Sequence, residues 1–313
     1  MTLFKKLSLV LVSVLAFGAV KADTIKADSR VQLPTPISPV AGEIVLTSDN
    51  TLVLNDAIFE DTASKLATKA KEMDAKLPSG DPIILVLNSP GGSIEDGLQM
   101  LQVLKNLNRP INTLSIFSAS MAFHTVQGLG ARYVQPTGVL MSHKAKGMFY
   151  GEFPGQLDSR YGFYLQRVRH MDEEVVRRTN GKHTYQTYSA LIENEYWCEG
   201  QDCVNQGFAD SVANARCDAS LNGTRSDVIK LFFMGARIQI SLIYANCPLI
   251  TGVLDYDISV DGQKLFKDAT KKDGSTYYDE QNVTLSKDEL KLLDVEVQRV
   301  IKEKTSKNVV KGY

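Results

Sequence analysis

Ile83-Ile84-Leu85-Val86-Leu87-Asn88-Ser89-Pro90-Gly91-Gly92-Ser93 is an unbroken apolar run that ends in a Ser-Pro-Gly-Gly corner. A short apolar run closed by turn formers reads as a buried strand feeding a tight turn. Two successive glycines let the backbone approach a neighbour closely and leave amide N–H groups unobstructed. That arrangement can hold an anion or an oxyanion at the start of the helix that follows. A second strand-to-helix corner follows at Leu114-Ser115-Ile116-Phe117-Ser118-Ala119-Ser120-Met121-Ala122. A third element is Tyr133-Val134-Gln135-Pro136-Thr137-Gly138-Val139-Leu140-Met141-Ser142-His143. A glycine turn, a hydroxyl and an imidazole thus stand at the ends of three successive strands.

Outward from this stretch, residues 44–47 and 51–54 read as strands, and 62–77 has helical spacing with Leu66, Ala70, Met73 and Leu77 on one face. Strand and helix then alternate through 83–87, 94–107, 111–117, 120–129 and 133–143, which argues for an α/β domain with layered sheets. A glycine-rich segment at 144–154 leads to a helix-patterned stretch at 156–179. Beyond residue 216 the pattern changes to apolar runs at 227–234 and 237–244 and two β-prone runs joined by Asp261-Gly262, a hairpin signal. Residues 267–281 are polar and read as loop. Ser286-Lys287-Asp288-Glu289 is a capping box before Leu290, Leu293, Val297, Val300 and Ile301, so a closing amphipathic helix is expected. Residues 217–313 therefore read as a small α+β appendage.

At Asn88-Ser89-Pro90-Gly91-Gly92, Ala119-Ser120-Met121 and Gly130-Ala131-Arg132…Pro136…Met141-Ser142-His143 the chain resembles the proteolytic subunit of the Clp protease (ClpP), a serine peptidase of the crotonase-like fold. The resemblance covers residues 42–216 and implies layered β-β-α repeats. It assigns Ser120 as nucleophile, His143 as general base, and the amides of Gly92 and Met121 as the oxyanion hole. Gly207-Phe208-Ala209-Asp210 resembles the family segment that follows the third catalytic residue, and counting back by the family spacing lands on Glu195 where the family has Asp. Glu193 is the runner-up and Asp172 a third choice. Ile116 stands where the family usually has glycine, a departure that bears on how substrate approaches along the neighbouring strand. The resemblance also implies a homo-oligomer in which the 156–179 helix contacts stacked rings.

Each residue also has a bland reading. Serines cap helices, so Ser120 can be an N-cap as well as a nucleophile, and Ser118 is its local rival. Among the other histidines, His124 reads as packed within its helix, His170 as solvated and His183 as a loop residue, while His143 can equally be a satisfied core histidine. Lys144 or Lys146 could serve in a Ser–Lys scheme like that of the related signal-peptide peptidases. A lysine base needs burial to lose its proton, and Lys144-Ala145-Lys146-Gly147 reads as exposed.

The chain has 313 residues, of which 43% are hydrophobic and 23% charged, a folded rather than a disordered composition. Lys5-Lys6, an apolar core over 7–20 and Val20-Lys21-Ala22 read as a secretory signal at 1–22, too short for a comfortable membrane span. Its removal makes the chain three charges more acidic than its net −1, so no nucleic-acid partner is expected. Residues 23–41, with Pro34, Pro36 and Pro39, read as a linker or extended arm. They show no match to the segment that docks the family's ATPase, and an exported protein would have no such partner. The even cysteine count favours disulfides, and Cys198 with Cys203 and Cys217 with Cys247 is the pairing taken among three. Nothing implies a metal or organic cofactor.

These readings converge on a periplasmic or secreted, ATP-independent serine endopeptidase acting on peptides or unfolded proteins. The alternatives are a catalytically silent assembly or peptide-binding module on the same fold and, more weakly, an acyl-CoA enzyme.

Overall fold

Strand β3 (Ile83–Ser89) is buried at every position, and its neighbours β2 (Thr51–Leu54) and β4 (Ile111–Ala119) pair with it in parallel. Parallel strands covered on both faces need no polar alternation, which is why the run reads as continuously apolar. In the computed structural model the described residues are 42–76, 81–265, 267–268, 277–278 and 285–305. The expected leader at 1–22 and arm at 23–41 lie outside them.

The main sheet runs β2-β3-β4-β5-β6, with β5 (Arg132–Ser142) parallel to β4 and β6 (Tyr196–Glu199) antiparallel to β5. The short β7 (Ser211–Val212) also pairs with β5. On one face Ile83, Leu85 and Leu87 pack against Ala63, Leu66, Ala70 and Met73 of α1 (Glu60–Lys76) and Met100, Leu101 and Leu104 of α2 (Ile94–Lys105). Truncating such a fully buried leucine to alanine costs roughly 2–5 kcal/mol. Helix α2 starts where Ser93 Oγ accepts the Asp96 amide at 3.2 Å. Helix α3 (Met121–Gly128) follows β4 directly.

The opposite face of the sheet is Ile84, Val86 and Leu114 with Leu46 of β1 (Ile44–Leu46). β1 pairs in parallel with β8 (Ala215–Cys217), and Ile116, Leu221 and Leu249 pack against the same cluster. Ile116 is skipped by both of its neighbours: Ser115 pairs with Leu87 and Val134, and Phe117 with Asn88 and Val139. It is the extra residue of a bulge, and its side chain joins this outer cluster. Its replacement of glycine is therefore accommodated away from the helix-covered face.

Helix α4 (Gly155–Arg178) matches the stretch expected at 156–179, but only Asp172 and Val175 are buried in it. Its first half is exposed together with Met148, Tyr150 and Phe153. Below it, α5 (Tyr185–Leu191) and α6 (Gly200–Asn205) close a second core around Phe123, Tyr188 and Phe208. Arg132, fully buried, ties the layers through Asp210, Gln127 Oε1, and the carbonyls of Gly207 and Arg178.

The appendage is a four-stranded antiparallel sheet, β12-β11-β10-β9, with ranges β9 (Thr224–Phe233), β10 (Ala236–Ala245), β11 (Val253–Val260) and β12 (Gln263–Leu265). The Asp261-Gly262 turn has φ of 49° and 86°, as the hairpin signal requires. Helix α7 (Lys287–Thr305) lays Leu290, Leu293, Val297 and Val300 on this sheet. Its capping box is formed: Glu289 Oε2 accepts the Ser286 amide at 2.8 Å and Ser286 Oγ accepts the Glu289 amide at 3.4 Å. Within the stretch read as loop, Lys267–Asp268 pair with Tyr277–Tyr278, and the remaining residues of that stretch lie outside those described.

Both disulfides have the pairing taken from sequence, Cys198–Cys203 and Cys217–Cys247. The second joins β8 to the segment after β10 across a separation of 30 residues. Loop closure alone makes such a crosslink worth about 3–4 kcal/mol. The double variant Cys217→Ala, Cys247→Ala is therefore expected to unfold at a clearly lower urea midpoint than the oxidised protein, and dithiothreitol, which also opens Cys198–Cys203, should lower the oxidised protein at least as far.

Candidate active site

The corner after β4 is sharp: Ser120 has φ 55° and ψ −122°, a conformation that an L residue adopts only when its surroundings impose it. Its amide donates to the Met141 carbonyl at 2.9 Å, which fixes the corner to β5. Its side chain makes no capping bond, so the N-cap role open in the sequence is not used. Instead Ser120 Oγ lies 2.8 Å from His143 Nε2. His143 follows the last residue of β5, so the adjacent parallel strands β4 and β5 deliver both groups at the same end of the sheet. Ser118, the local rival, is buried and its hydroxyl bonds Ser115 Oγ at 3.0 Å.

The glycine corner leans on this serine. A Cβ added at Gly91 would lie 2.7 Å from the Met121 amide nitrogen and 2.7 Å from Ser120 Cβ. At Gly92 it would lie 2.2 Å from the Ile58 carbonyl oxygen, and φ there is +149°. The loop is clamped from the other side by the Ile58 amide donating to Gly91 O at 2.7 Å and the Ser93 amide donating to Ile58 O at 2.8 Å. The amides of Gly92 and Met121 have no acceptor among the described residues. They are two N–H donors near one hydroxyl, one of them in the first turn of a helix, where partial positive charge collects.

His143 is half-buried. Burial holds its imidazole below the usual 6.5, and the charge of Lys146 pushes it the same way, while Glu195 and the backbone at Lys144 pull it back up. These influences together favour the neutral ring, whose Nε2 can accept the Ser120 hydroxyl proton in the Nδ1–H tautomer. Its other nitrogen, Nδ1, is buried and has no hydrogen-bond partner among the described residues. Glu195 is therefore close enough to act through its charge, yet it is not bonded to the ring. The Glu195 backbone has φ 68°, and its carboxylate lies 3.9 Å from Lys146 Nζ. Glu193 pairs with Lys144 on the surface. Asp172 is buried in α4, and desolvation together with the charge of Glu173 pushes its carboxyl up to about 6. Lys144 and Lys146 are both exposed, as their sequence suggested.

His124 is held near 4 by burial and by the neighbouring His143, so it is neutral, and its ring meets Phe123 edge-on. His170 is exposed on α4. His183 stacks on Phe208 with ring centroids 5.2 Å apart. Two supports carried no sequence signal. One is Ile58, which clamps the glycine loop. The other is the buried Ser142–Tyr188 hydroxyl pair at 2.6 Å, which anchors the end of β5 next to His143. Neither belongs to a short motif; each arises from a contact between distant segments. No cluster of three or more metal-binding side chains occurs among the described residues.

A parallel α/β sheet that presents a serine on a strained corner, in contact with an imidazole, defines a protein built like a serine hydrolase. The model of the Clp protease family matches residues 43–216, more than half of the chain, and the chain belongs to that family. It is 23% identical to an ATP-dependent Clp protease proteolytic subunit of Streptococcus suis over 170 residues, 53% of this chain and 86% of the relative. It is 24% identical to ATP-dependent Clp protease proteolytic subunit 1 of Protochlamydia amoebophila over 178 residues, 55% of this chain and 84% of that one. Membership supports a serine peptidase in general.

Two outcomes test the geometry. Because the base must be neutral, activity should be full above the His143 pKa and fall as pH drops through it, with a midpoint below 6.5. Lys146→Met should move that midpoint up and Glu195→Gln move it down, read from the pH dependence of kcat/KM. Gly92→Ala should abolish turnover and lower the melting temperature, whereas Gly155→Ala, with open space around its added methyl, should change neither.

Proposed function

We propose that the chain is an exported, ATP-independent serine endopeptidase. In this reading His143 Nε2 takes the proton of Ser120 Oγ as the oxygen attacks a peptide carbonyl. The amides of Gly92 and Met121 hold the oxyanion of the tetrahedral intermediate. His143 returns the proton to the leaving amine, an acyl-enzyme on Ser120 remains, and water activated by the same imidazole hydrolyses it. Glu195 completes the triad by turning from Lys146 to His143 Nδ1, a nitrogen with no hydrogen-bond partner among the described residues. The observation that carries the reading is the 2.8 Å contact between Ser120 Oγ and His143 Nε2.

The finer features rest on separate supports. Two disulfides and the leader-like residues 1–22 favour a periplasmic or secreted location. No helix among the described residues is long and apolar enough to cross a membrane. The exposed aromatic cluster at the start of α4, with Tyr161, Phe163 and Leu165, favours a homo-oligomer. The relatives are described as ATP-dependent, and an exported chain would work without that partner. The same fold kept as a catalytically silent peptide-binding assembly is the second reading, favoured by the His143 Nδ1 that has no hydrogen-bond partner among the described residues.

Residues 23–313 treated with a fluorophosphonate should become labelled at Ser120. The label should vanish in Ser120→Ala and in His143→Ala, and each variant should lose about 10⁴-fold or more in peptide hydrolysis. A folded protein that takes up no label would favour the silent assembly.

A further inference from the structure

Arg225, Asp227 and Ile229 share one face of β9, with Tyr244 and Leu242 of β10 directly opposite the first two. Further along the hairpin α7 packs on this face, but at this end a cavity of about 650 Å³ lies between it and α1. Asp61, Lys65 and Lys69, spaced four residues apart on one side of α1, stand on the facing wall. A cavity of this size is in the range that holds small molecules. Leu66, Ile229 and Leu242 give it an apolar part.

The charges that line the cavity are sorted into two poles. At one, Lys69 stands beside Arg225. Desolvation and the Arg225 charge both hold the Lys69 ammonium below its usual 10.5, against a weaker pull upward from Glu72. The Arg225 guanidinium lies 5.3 Å from the centre of the Tyr244 ring and gives one N–H to the Ala245 carbonyl. Neither cation forms an ion pair among the described residues. At the other pole Lys65 pairs with Asp61 at 2.8 Å. Asp61 above all, then Asp227 and Asp56, raise the Lys65 ammonium, and all three carboxylates line the cavity. Three carboxylates against one ammonium make this pole acidic, while two cations make the other basic.

The offset of the poles selects the occupant. Arg225 and Asp227 are two strand residues apart, about 7 Å, and Lys69 and Lys65 four helix residues apart, about 6 Å. A free amino acid carries its two charges across one residue, about 3.5 Å, whereas two extended residues span about 7 Å and four about 14 Å. We propose that this cavity binds a free, zwitterionic dipeptide, with its carboxylate at Lys69 and Arg225 and its ammonium at Asp227 and the carboxylates beside it. Leu66, Ile229 and Leu242 offer contact to apolar side chains on that peptide. On the peptidase reading a dipeptide is an end product, so the site would register its accumulation; the binding itself does not depend on that reading.

The test uses the full chain carrying Ser120→Ala and isotope-labelled leucyl-leucine in equilibrium dialysis. The peptide should bind. Converting its carboxylate to an amide, or acetylating its amine, should each weaken binding by about tenfold or more, because each removes one charge-assisted contact. Lys69→Gln should weaken leucyl-leucine by a similar factor while leaving the amide form unaffected, and Asp227→Asn should do the same with the acetyl form. The capped peptides need no change in the protein, so their comparison holds even if a variant misfolds. No binding at about 1 mM peptide would overturn the proposal. So would equal affinity for the capped forms, or unaltered affinity in a folded Lys69→Gln or Asp227→Asn protein. Free leucine bound as tightly as the dipeptide would also overturn it, because one residue does not reach both poles. Because Ser120 is absent throughout, failure of the catalytic reading would leave these outcomes unaffected.

Discussion

The absence of a side chain at Gly91 and Gly92 is the constraint on which the candidate site depends. A Cβ at the first would run into the Ser120 corner, and at the second into the Ile58 carbonyl. Only a bare backbone can pass between these two obstacles. The amides of Met121, the first of α3, and of Gly92 in the loop have no acceptor among the described residues. The Ile58 clamp and the Ser120–Met141 bond then fix both sides of that gap through β-type backbone bonds rather than side-chain packing. Backbone bonds thus hold the gap fixed, as an oxyanion site would need, because its donors must be aimed in advance.

Much of this was legible in the chain because the information is local. A continuous apolar run, a Gly-Gly pair, a serine between strand and helix and a histidine at a strand end each occupy a few consecutive residues. The Asp261-Gly262 turn and the Ser286 capping box could be read for the same reason: they depend on φ signs and on a fixed spacing of three. Strand and helix limits differ from expectation by a few residues, as where β3 continues through Asn88 to Ser89. Those last residues pair with β4 across a bulge that no short motif announces.

What could not be read is tertiary. Ile58 has no motif, yet it holds the glycine loop. The relation of Glu195 to His143 follows from family spacing, but the orientation of its carboxylate is set by Lys146 and by a left-handed backbone at residue 195. Ile116 looked like a change beside the substrate path, and the bulge turns it into part of an outer apolar cluster with Leu221 and Leu249. The appendage was recognisable as α+β, but its attachment depends on the Cys217–Cys247 crosslink over 30 residues and on Leu221 and Leu249 packing against a cluster that includes Ile84 and Val86, more than 100 residues earlier in the chain.

The central claim is that Ser120 becomes nucleophilic because His143 contacts it, and it is tested most directly by trapping the acyl-enzyme. Residues 23–313, mixed briefly with a peptide ester and quenched in acid, would be weighed intact and then mapped by peptide. The account predicts a mass increase equal to the acyl group, located on Ser120 and absent when His143 is replaced by alanine. Hydrolysis of the ester that persists in Ser120→Ala at an undiminished rate, with no acyl group on residue 120 of the unaltered protein, would contradict it.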